Sequence, residues 1–419
     1  MSDPDAEVIV QIAGRDVLAG RLWSHRRGRA ETQSFAYDAA YLSRPDAYEL
    51  DPSLPLTAAQ HHTGGRRGIF GAFSDCAPDR WGRRLAERDE RRIARRRDAA
   101  PRTLGETDHL LRVRDDLRQG ALRFRRSGTD DYLADAARGI PTLLELPELL
   151  DLAEDVERDR IDEDRLAVLV NAGSSLGGAR PKAHVLDQDG RIAIAKFPSP
   201  STDDWDVMRW EWTTLRLARA AGIVVPDSRV HRIAGRSVHV VDRFDRSDEL
   251  RVGYVSAMTM LEAEDGDQGS YLEIADVIET SSTDATLDLR QLWRRVVFSI
   301  LVSNFDDHLR NHGFLRISAA GWRLSPAFDI NPDPRPVARH LHTAIDFDDT
   351  EARIDTALRV SAAFRLTDDA ALETVAHVFR AVQTWPRVAA ACGLDDAEIR
   401  RMRPAFDHAQ TAEAARLVA

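Results

Sequence analysis

Asn304-Phe-Asp-Asp-His-Leu-Arg-Asn-His-Gly-Phe-Leu315, followed by Leu324-Ser-Pro-Ala-Phe-Asp-Ile-Asn331, is the stretch that decides the fold. Asp306 and Asn311 stand five residues apart, and Asp329 follows on what reads as the next short strand or turn. That is the spacing of a phosphoryl-transfer loop. One Asp accepts the proton of an attacking hydroxyl, an Asn five residues on holds a metal ion, and a later Asp holds the metals that bridge the phosphates. A transferred phosphoryl group spreads negative charge over its oxygens, so the chemistry needs divalent cations, and hard oxygen donors such as Asp and Asn suit Mg²⁺. Leu292–Ser303, apolar along most of its length, reads as a buried helix that delivers the loop.

Composition narrows the setting. A chain of 419 residues, 43% hydrophobic, can bury large cores and is expected to hold two or three domains. Its net charge of −11 argues against wholesale nucleic-acid binding. Cys76 and Cys392 are the only cysteines and lie far apart, which points to a reducing cytoplasm rather than a disulfide framework. The acidic N-terminus carries no signal-peptide pattern, and no stretch is long and apolar enough to span a bilayer. A soluble cytoplasmic protein without membrane contact is expected.

Upstream of the loop the chain alternates β and helical character. Val8–Ile12 and Val17–Trp23 read as a hairpin, and Ser34–Leu42 continues the β pattern with Phe35, Tyr37 and Tyr41. Gly68–Arg84 leads into a helix whose start Asp75 or Pro78 would mark, and which runs on into Arg91–Arg97. That basic run is either a DNA or acidic-partner patch or a solvated helix end balanced by Glu87, Asp89 and Glu90. Thr103–Leu117 reads as a further helix, Gly120–Phe124 as a strand, and Thr142–Asp155 and Asp162–Leu169 as two helices.

Asn171–Lys182 contains Gly177 and Gly178 among small residues, so backbone N–H groups could approach phosphate oxygens, with Arg180 and Lys182 supplying charge. A Gly-Gly hairpin turn is the competing reading. Ala183–Leu186 and Arg191–Phe197 then read as paired strands, the second carrying Lys196 where a strand lysine grips ATP phosphates. Val207–Ala221 is an amphipathic helix in which Glu211 either pairs with Lys196 or faces solvent. Pro226–Ile233 and Arg236–Phe244 form another hairpin, placed where a hinge would meet an adenine edge. Glycine loop, strand lysine, helical glutamate, hinge, Asp-x4-Asn loop and metal Asp follow one another in the order a protein kinase uses.

With those residues in hand, the chain resembles the HipA family of serine/threonine kinases, the toxin halves of bacterial toxin–antitoxin pairs. The resemblance rests on Ser175–Lys182, Ile194–Pro198, Val241–Arg246, Asn304–Leu315 and Ser325–Ile330, and extends more loosely over nearly the whole chain. It implies an α+β, protein-kinase-like two-lobed fold with an extra N-terminal β-rich subdomain. The segments expected are residues 1–130 for that subdomain, 131–245 for a small ATP-binding lobe and 246–419 for a helical catalytic lobe. It implies ATP and Mg²⁺ as cofactors, Asp306 as the base and Asn311 and Asp329 as Mg²⁺ ligands. Ser175, Gly177, Gly178, Lys182, Lys196, Asp242 and Phe244 would line the ATP site. Ser175 falls where the family carries an autophosphorylated serine, with Ser174 beside it as the other candidate. A protein substrate is implied, an aminoacyl-tRNA synthetase being the leading type. So is a helix-turn-helix antitoxin of the HipB type, through which alone DNA would be reached.

One departure is Arg310, which stands where a lysine is usual before the metal Asn; this keeps charge and alters geometry. His308 and His312, four apart, could ligate zinc, but no third ligand sits at a telling spacing, and His308 fits better as a brace for the loop. His340 and His342 carry no assignment. Asp355–Phe364, Ala370–Arg387 and Ala397–Leu417 read as helices, with Asp368 and Asp395 as N-caps. Two other functions share these residues: a small-molecule phosphotransferase, and a catalytically dead kinase serving as a binding module. The intact set Lys196, Asp306, Asn311 and Asp329 argues against the second.

Overall fold

The structure, a computed structural model, describes residues 3–28, 30–64, 68–134, 139–172, 179–247, 250–335 and 339–419. Ser174, Ser175, Gly177 and Gly178 lie outside these residues. The chain divides into two compact units, Met1–Thr202 with Arg232–Val255, and Asp203–His231 with Ser256–Ala419. The first two segments expected from the sequence thus fall largely in one unit.

In the first unit, β1 (Ala6–Ile12), β2 (Arg15–Arg27), β3 (Ala30–Tyr37), β4 (Gln60–His62) and β5 (Leu122–Arg125) form one sheet in the order β4-β3-β2-β1-β5. β1 and β2 pair antiparallel from Ile12↔Arg15 outward, the predicted hairpin. Gly20 is required where β2 meets β3, because a Cβ there would sit 2.3 Å from the carbonyl oxygen of Ala36. The expected strand to Leu42 stops at Tyr37. Asp38 accepts a hydrogen bond from the Ala40 amide at 2.9 Å and starts a short helix, Ala39–Leu42. Phe35, Phe70, Phe73 and Phe124 meet edge to face beneath the sheet.

α1 (Arg80–Arg96) begins neither at Asp75 nor at Pro78. Asp75 closes a short helix, Gly71–Asp75, and Asp79 caps α1 by accepting from Gly82 N at 2.7 Å. Its exposed C-terminal end carries Arg91, Arg95, Arg96 and Arg97, where cations complement the helix dipole. α2 spans only Glu106–Arg112 of the helix expected over Thr103–Leu117. Arg118, fully buried, donates to the carbonyls of Leu110 and Val113 at 3.0 and 2.8 Å and so terminates it.

α3 (Leu146–Glu157) and α4 (Glu163–Ala172) precede β6 (Lys182–Leu186) and β7 (Ile192–Lys196), which join β8 (Ser228–Ile233) and β9 (Arg236–Asp242) in the sheet β6-β7-β9-β8. One core unites these elements: Trp81 and Leu85 of α1 pack with Leu149 and Leu152 of α3, Leu169 of α4, and Val185, Ala195 and Val240 of the sheet. Trp81 Nε1 donates to Lys182 O at 3.1 Å, and Lys182 Nζ donates to Asp79 at 2.6 Å, with both side chains of this ion pair 5% exposed or less.

A second tie is the segment Arg243–Arg246. Arg243 forks onto both oxygens of Asp245 at 2.8 and 2.6 Å and donates to Leu117 O at 2.7 Å. Asp245 also accepts from Gly120 N at 2.7 Å and from Arg246. Gly120 has φ +76° and lies against the Tyr254 backbone, so only glycine fits without strain.

The second unit is mostly helical. It holds α5 (Val207–Ala220), α6 (Tyr271–Ser281), α7 (Ala285–Val302), α8 (Asp368–Val382), α9 (Trp385–Ala391), α10 (Asp396–Phe406) and α11 (Ala409–Leu417), with the hairpin β10 (Gly313–Ser318) and β11 (Gly321–Leu324) against α6 and α7. α5 is anchored by Trp210 against Trp385 and Phe406. Asp395 caps α10 as expected, but the cap of α8 is Thr367, whose hydroxyl accepts from Ala370 N; Asp368 is the first helical residue. The long helices expected over 370–387 and 397–417 each break in two, the first just before Trp385-Pro386, a favoured helix start. Among the described residues no helix is long and apolar enough to cross a membrane. With sheets concentrated in one unit and helices in the other, the architecture is α+β, as expected.

Removing the carboxylate from a buried ammonium leaves a charge inside with less compensation. Asp79→Ala is expected to lower the unfolding free energy by about 3 kcal/mol in urea denaturation. A change within about 0.5 kcal/mol, the range of ordinary surface substitutions, would contradict this tie.

Candidate active site

α7 is the frame of the site. Asp284 caps it by accepting from Leu287 N at 3.2 Å, and Leu292, Trp293 and every residue from Arg295 to Val302 are buried. Trp293 Nε1 donates to Ala357 O at 3.0 Å, fixing the helix in the core. The helix stops where Ser303 turns to φ +57°, held by its hydroxyl on Ala405 O at 2.7 Å and by Arg339 on that hydroxyl at 2.6 Å. Asn304 N still reaches Ser299 O at 2.9 Å, so the loop leaves a fixed point.

From there the loop folds back on itself. His308 N donates to Asp306 O at 3.0 Å, Asn311 N donates to His308 O at 2.8 Å, and Asn311 Nδ2 donates to Asp306 O at 3.0 Å. The five-residue spacing read from the sequence is therefore a closed turn that brings the Asn311 side chain onto the Asp306 backbone. Because Nδ2 makes that bond, Oδ1 of Asn311 is the atom left to meet a cation.

Asp329 arrives from β11 through Ser325, whose amide donates to Gly313 O at 2.8 Å. Its φ of +57° is a left-handed conformation in a non-glycine residue, the kind of local strain that surrounding contacts must hold. Asn331 supplies them: its amide N–H donates to Asn304 Oδ1 at 3.1 Å, and its Nδ2 to Asp329 Oδ1 at 3.3 Å. Asn304 thus joins the two quoted stretches.

Electrostatics mark the same place. Partial burial pushes the Asp306 carboxyl above its usual range, and the negative charge of Asp329 pushes it further, against the pull of His308 and His342. Two carboxylates that repel one another this way are suited to sharing a divalent cation. Among the described residues no three His, Cys, Asp or Glu side chains gather to hold a metal. Asn311 and Asp329 could supply the smaller oxygen set that suffices for Mg²⁺ when phosphates complete its shell. His308 and His342 rings meet edge to face at 5.8 Å, so the histidine expected to brace the loop packs on the unassigned His342.

Asp307 points the other way, into the interior at 5% exposure. Burial raises its carboxyl, but His312, Tyr271 and His308 outweigh that and hold it below the usual range. The sequence reading passed over it, although an Asp-Asp pair beside an apolar helix end signals that one of the two turns inward.

In the first unit, Lys196 stands directly opposite Lys182 across β6 and β7. Ala195 of the same strand belongs to the core, so strand alternation places Lys196 on the other face. Lys182 is buried on Asp79, so as a phosphate contact it would act from within an ion pair. Asp242 ends β9, and Phe244 packs against Tyr254 with ring centroids 6.3 Å apart. The hinge motif also contains the Arg243–Asp245 tie, which the sequence did not reveal. In the second unit Glu211 is 2% exposed on α5, which excludes the solvated-glutamate reading.

Two family models match: the HipA-like C-terminal domain over residues 174–386 and the HipA N-terminal domain over residues 10–103. A Haemophilus influenzae protein named "Putative kinase" is 25% identical, over 39% of this chain and 54% of its own length. "Putative kinase Y4dM" of Sinorhizobium fredii is 28% identical, over 45% of this chain and 51% of its own length. The chain spans about half the length of the curated relatives it matches. A solved structure of the Shewanella oneidensis MR-1 HipA, HipB and operator DNA complex superposes with a TM-score of 0.67 at 16% identity, covering 99% of this chain and 96% of that one. At that identity the likeness shows the fold, and the fold is that of HipA.

The raised Asp306 carboxyl gives a signed prediction. Its neutral form is favoured in the fold, so ionisation costs stability above the folded value, and the cost disappears below the ordinary value of 3.8. In metal-free buffer Asp306→Asn is expected to raise Tm at pH 7, with the gain shrinking as the pH falls toward 3.8. Calorimetry that finds no gain at pH 7 would contradict the raised carboxyl, to which burial and then the charge of Asp329 contribute.

Proposed function

The chain belongs to the HipA family, and from that premise we propose that it is an ATP- and Mg²⁺-dependent protein serine/threonine kinase of the toxin type. The observation that carries the reading is the closed Asp306–Asn311 turn with Asp329 beside it, set at the end of one buried helix. Asp306 accepts the proton as the substrate hydroxyl attacks the γ-phosphorus, and the bond to the ADP oxygen breaks on the opposite side. The raised carboxyl of Asp306 makes it a better proton acceptor once it is ionised. Asn311 and Asp329 would hold Mg²⁺, which when bound supplies positive charge to the phosphate oxygens. Lys196, with Lys182 as a second contact, holds the phosphates, and the backbone near Asp242 and Phe244 receives adenine. Glu211, buried and acidic, would steady Lys196.

Ser175 is the proposed autophosphorylation site, Ser174 the alternative, in a loop with Gly177 and Gly178. The substrate is a protein, an aminoacyl-tRNA synthetase being the leading type. A helix-turn-helix antitoxin is the proposed partner, since the Shewanella complex pairs HipA with HipB on operator DNA. DNA would be reached only through that partner, and the protein would act in the cytoplasm.

Lys196→Ala should weaken ATP binding, while Asp306→Ala should leave it nearly intact and lower transfer by 10³-fold or more, on the order expected when a proton acceptor is lost from such a site. Isothermal titration with ATP, paired with ADP release, separates the two. Near-normal turnover in Asp306→Ala would remove the base from the account. Phosphopeptide mapping after incubation with ATP should find phosphate on Ser175 or Ser174, and phosphate found only elsewhere would overturn that assignment.

A further inference from the structure

The mechanism above uses Asp306, Asn311 and Asp329 and leaves their buried neighbour Asp307 without a task. Three side chains meet its carboxylate. Tyr271 of α6 donates its hydroxyl to Oδ2, Ser299 of α7 donates to the same oxygen at 3.3 Å, and His312 Nε2 lies 3.2 Å from Oδ1. The Thr343 hydroxyl donates to its backbone oxygen at 2.6 Å. Two helices, the far end of the loop and the segment at Thr343 therefore converge on one residue. Tyr271 is fully buried and its ring meets the His312 ring edge to face at 5.5 Å, so donor and neighbour are locked together.

Behind the carboxylate lies a small cavity lined by Arg295, Ser299, Asn304, Asp307, Asn311 and His312. Arg295 is 4% exposed; its Nη2 donates to Ser325 O, while among the described residues Nε and Nη1 have no hydrogen-bond partner. A buried guanidinium with two idle donors needs a counter-charge nearby, and Asp307 and Asp288 are the carboxylates that act on it. Replacing Asp307 thus disturbs more than one hydrogen bond.

Asp307 adjoins the proposed base and His312 adjoins the proposed metal ligand. The contact between Asp307 and His312 spans the same five-residue turn that the Asn311–Asp306 bond closes from the other side. We propose that Asp307 is the positioning residue of the catalytic loop: by binding Tyr271, Ser299 and His312 it sets the separation of Asp306 and Asn311. This rests on the phosphoryl-transfer reading of those two residues.

The test compares Asp307→Ala, Asp307→Asn and Tyr271→Phe with wild type in two ways. In hydrogen exchange, Asp307→Ala should speed the amides of residues 305–313 by about tenfold or more, while the remaining helices of the second unit keep their protection. In steady-state kinetics, kcat should fall by roughly 10²-fold with the KM for ATP within about twofold, the cost of misplacing reacting groups by about an ångström. Asp307→Asn keeps an oxygen for Tyr271 and should recover part of both losses. Tyr271→Phe removes one donor and should show the same pattern more weakly, which keeps the test decisive if Asp307→Ala does not fold. Wild-type exchange across 305–313 in the variants would overturn the proposal, as would exchange that rises evenly through the whole unit, which would make Asp307 a stability residue only. If wild type itself transfers no phosphate, the kinase reading fails separately, and the exchange data still decide whether Asp307 holds the loop.

Discussion

An ionised carboxylate taken out of water costs several kcal/mol unless donors replace the hydration it loses. Asp245 and Asp307 each organise one unit of this protein by collecting such donors. Asp245 gathers Arg243, Arg246 and the Gly120 amide, so the segment Arg243–Arg246 is tied to the Leu117–Gly120 turn. Burial pushes its carboxyl up, yet the two guanidinium charges hold it well below the usual carboxylate range. Asp307 accepts from Tyr271 and Ser299 in the second unit, with His312 Nε2 3.2 Å from its other oxygen. In both cases the aspartate sits beside residues proposed to touch nucleotide or substrate, and its own role is to remove their freedom.

This division of labour explains why the functional set is so sparse. Phosphoryl transfer asks little covalent chemistry of a protein and much positioning. A closed turn with strain stored at Asp329 and Ser303 has to be held from outside, and the holding groups outnumber the acting ones. Asn304 bonds Asn331, Asn331 bonds Asp329, and Ser303 is fixed by Arg339 and Ala405.

The residues proposed to act stand out in the sequence because the chemistry would fix their type and spacing: Asp306 and Asn311 five apart, Asp329 after a short hairpin, Lys196 at a strand end. The sequence also displayed most elements, since period and caps are local. It was weaker where a distant side chain decides. The stop of α2 depends on Arg118, six residues past its end, and the start of α1 depends on Asp79 rather than on the more conspicuous Pro78. The loop suggests Lys182 as a phosphate contact but not that it also pairs with Asp79, 103 residues earlier, which no local pattern announces. Asp307 hid for a related reason: which of two adjacent aspartates turns inward is settled by Tyr271 and Ser299.

The most direct measurement is the intact mass of the purified, initially unphosphorylated protein after incubation with Mg²⁺ and ATP, beside Asp306→Ala treated alike. The account predicts a phosphate-sized gain in the wild type and none in the variant. An equal gain in both would contradict the role of Asp306, and no gain in either would contradict the phosphoryl-transfer account of the site.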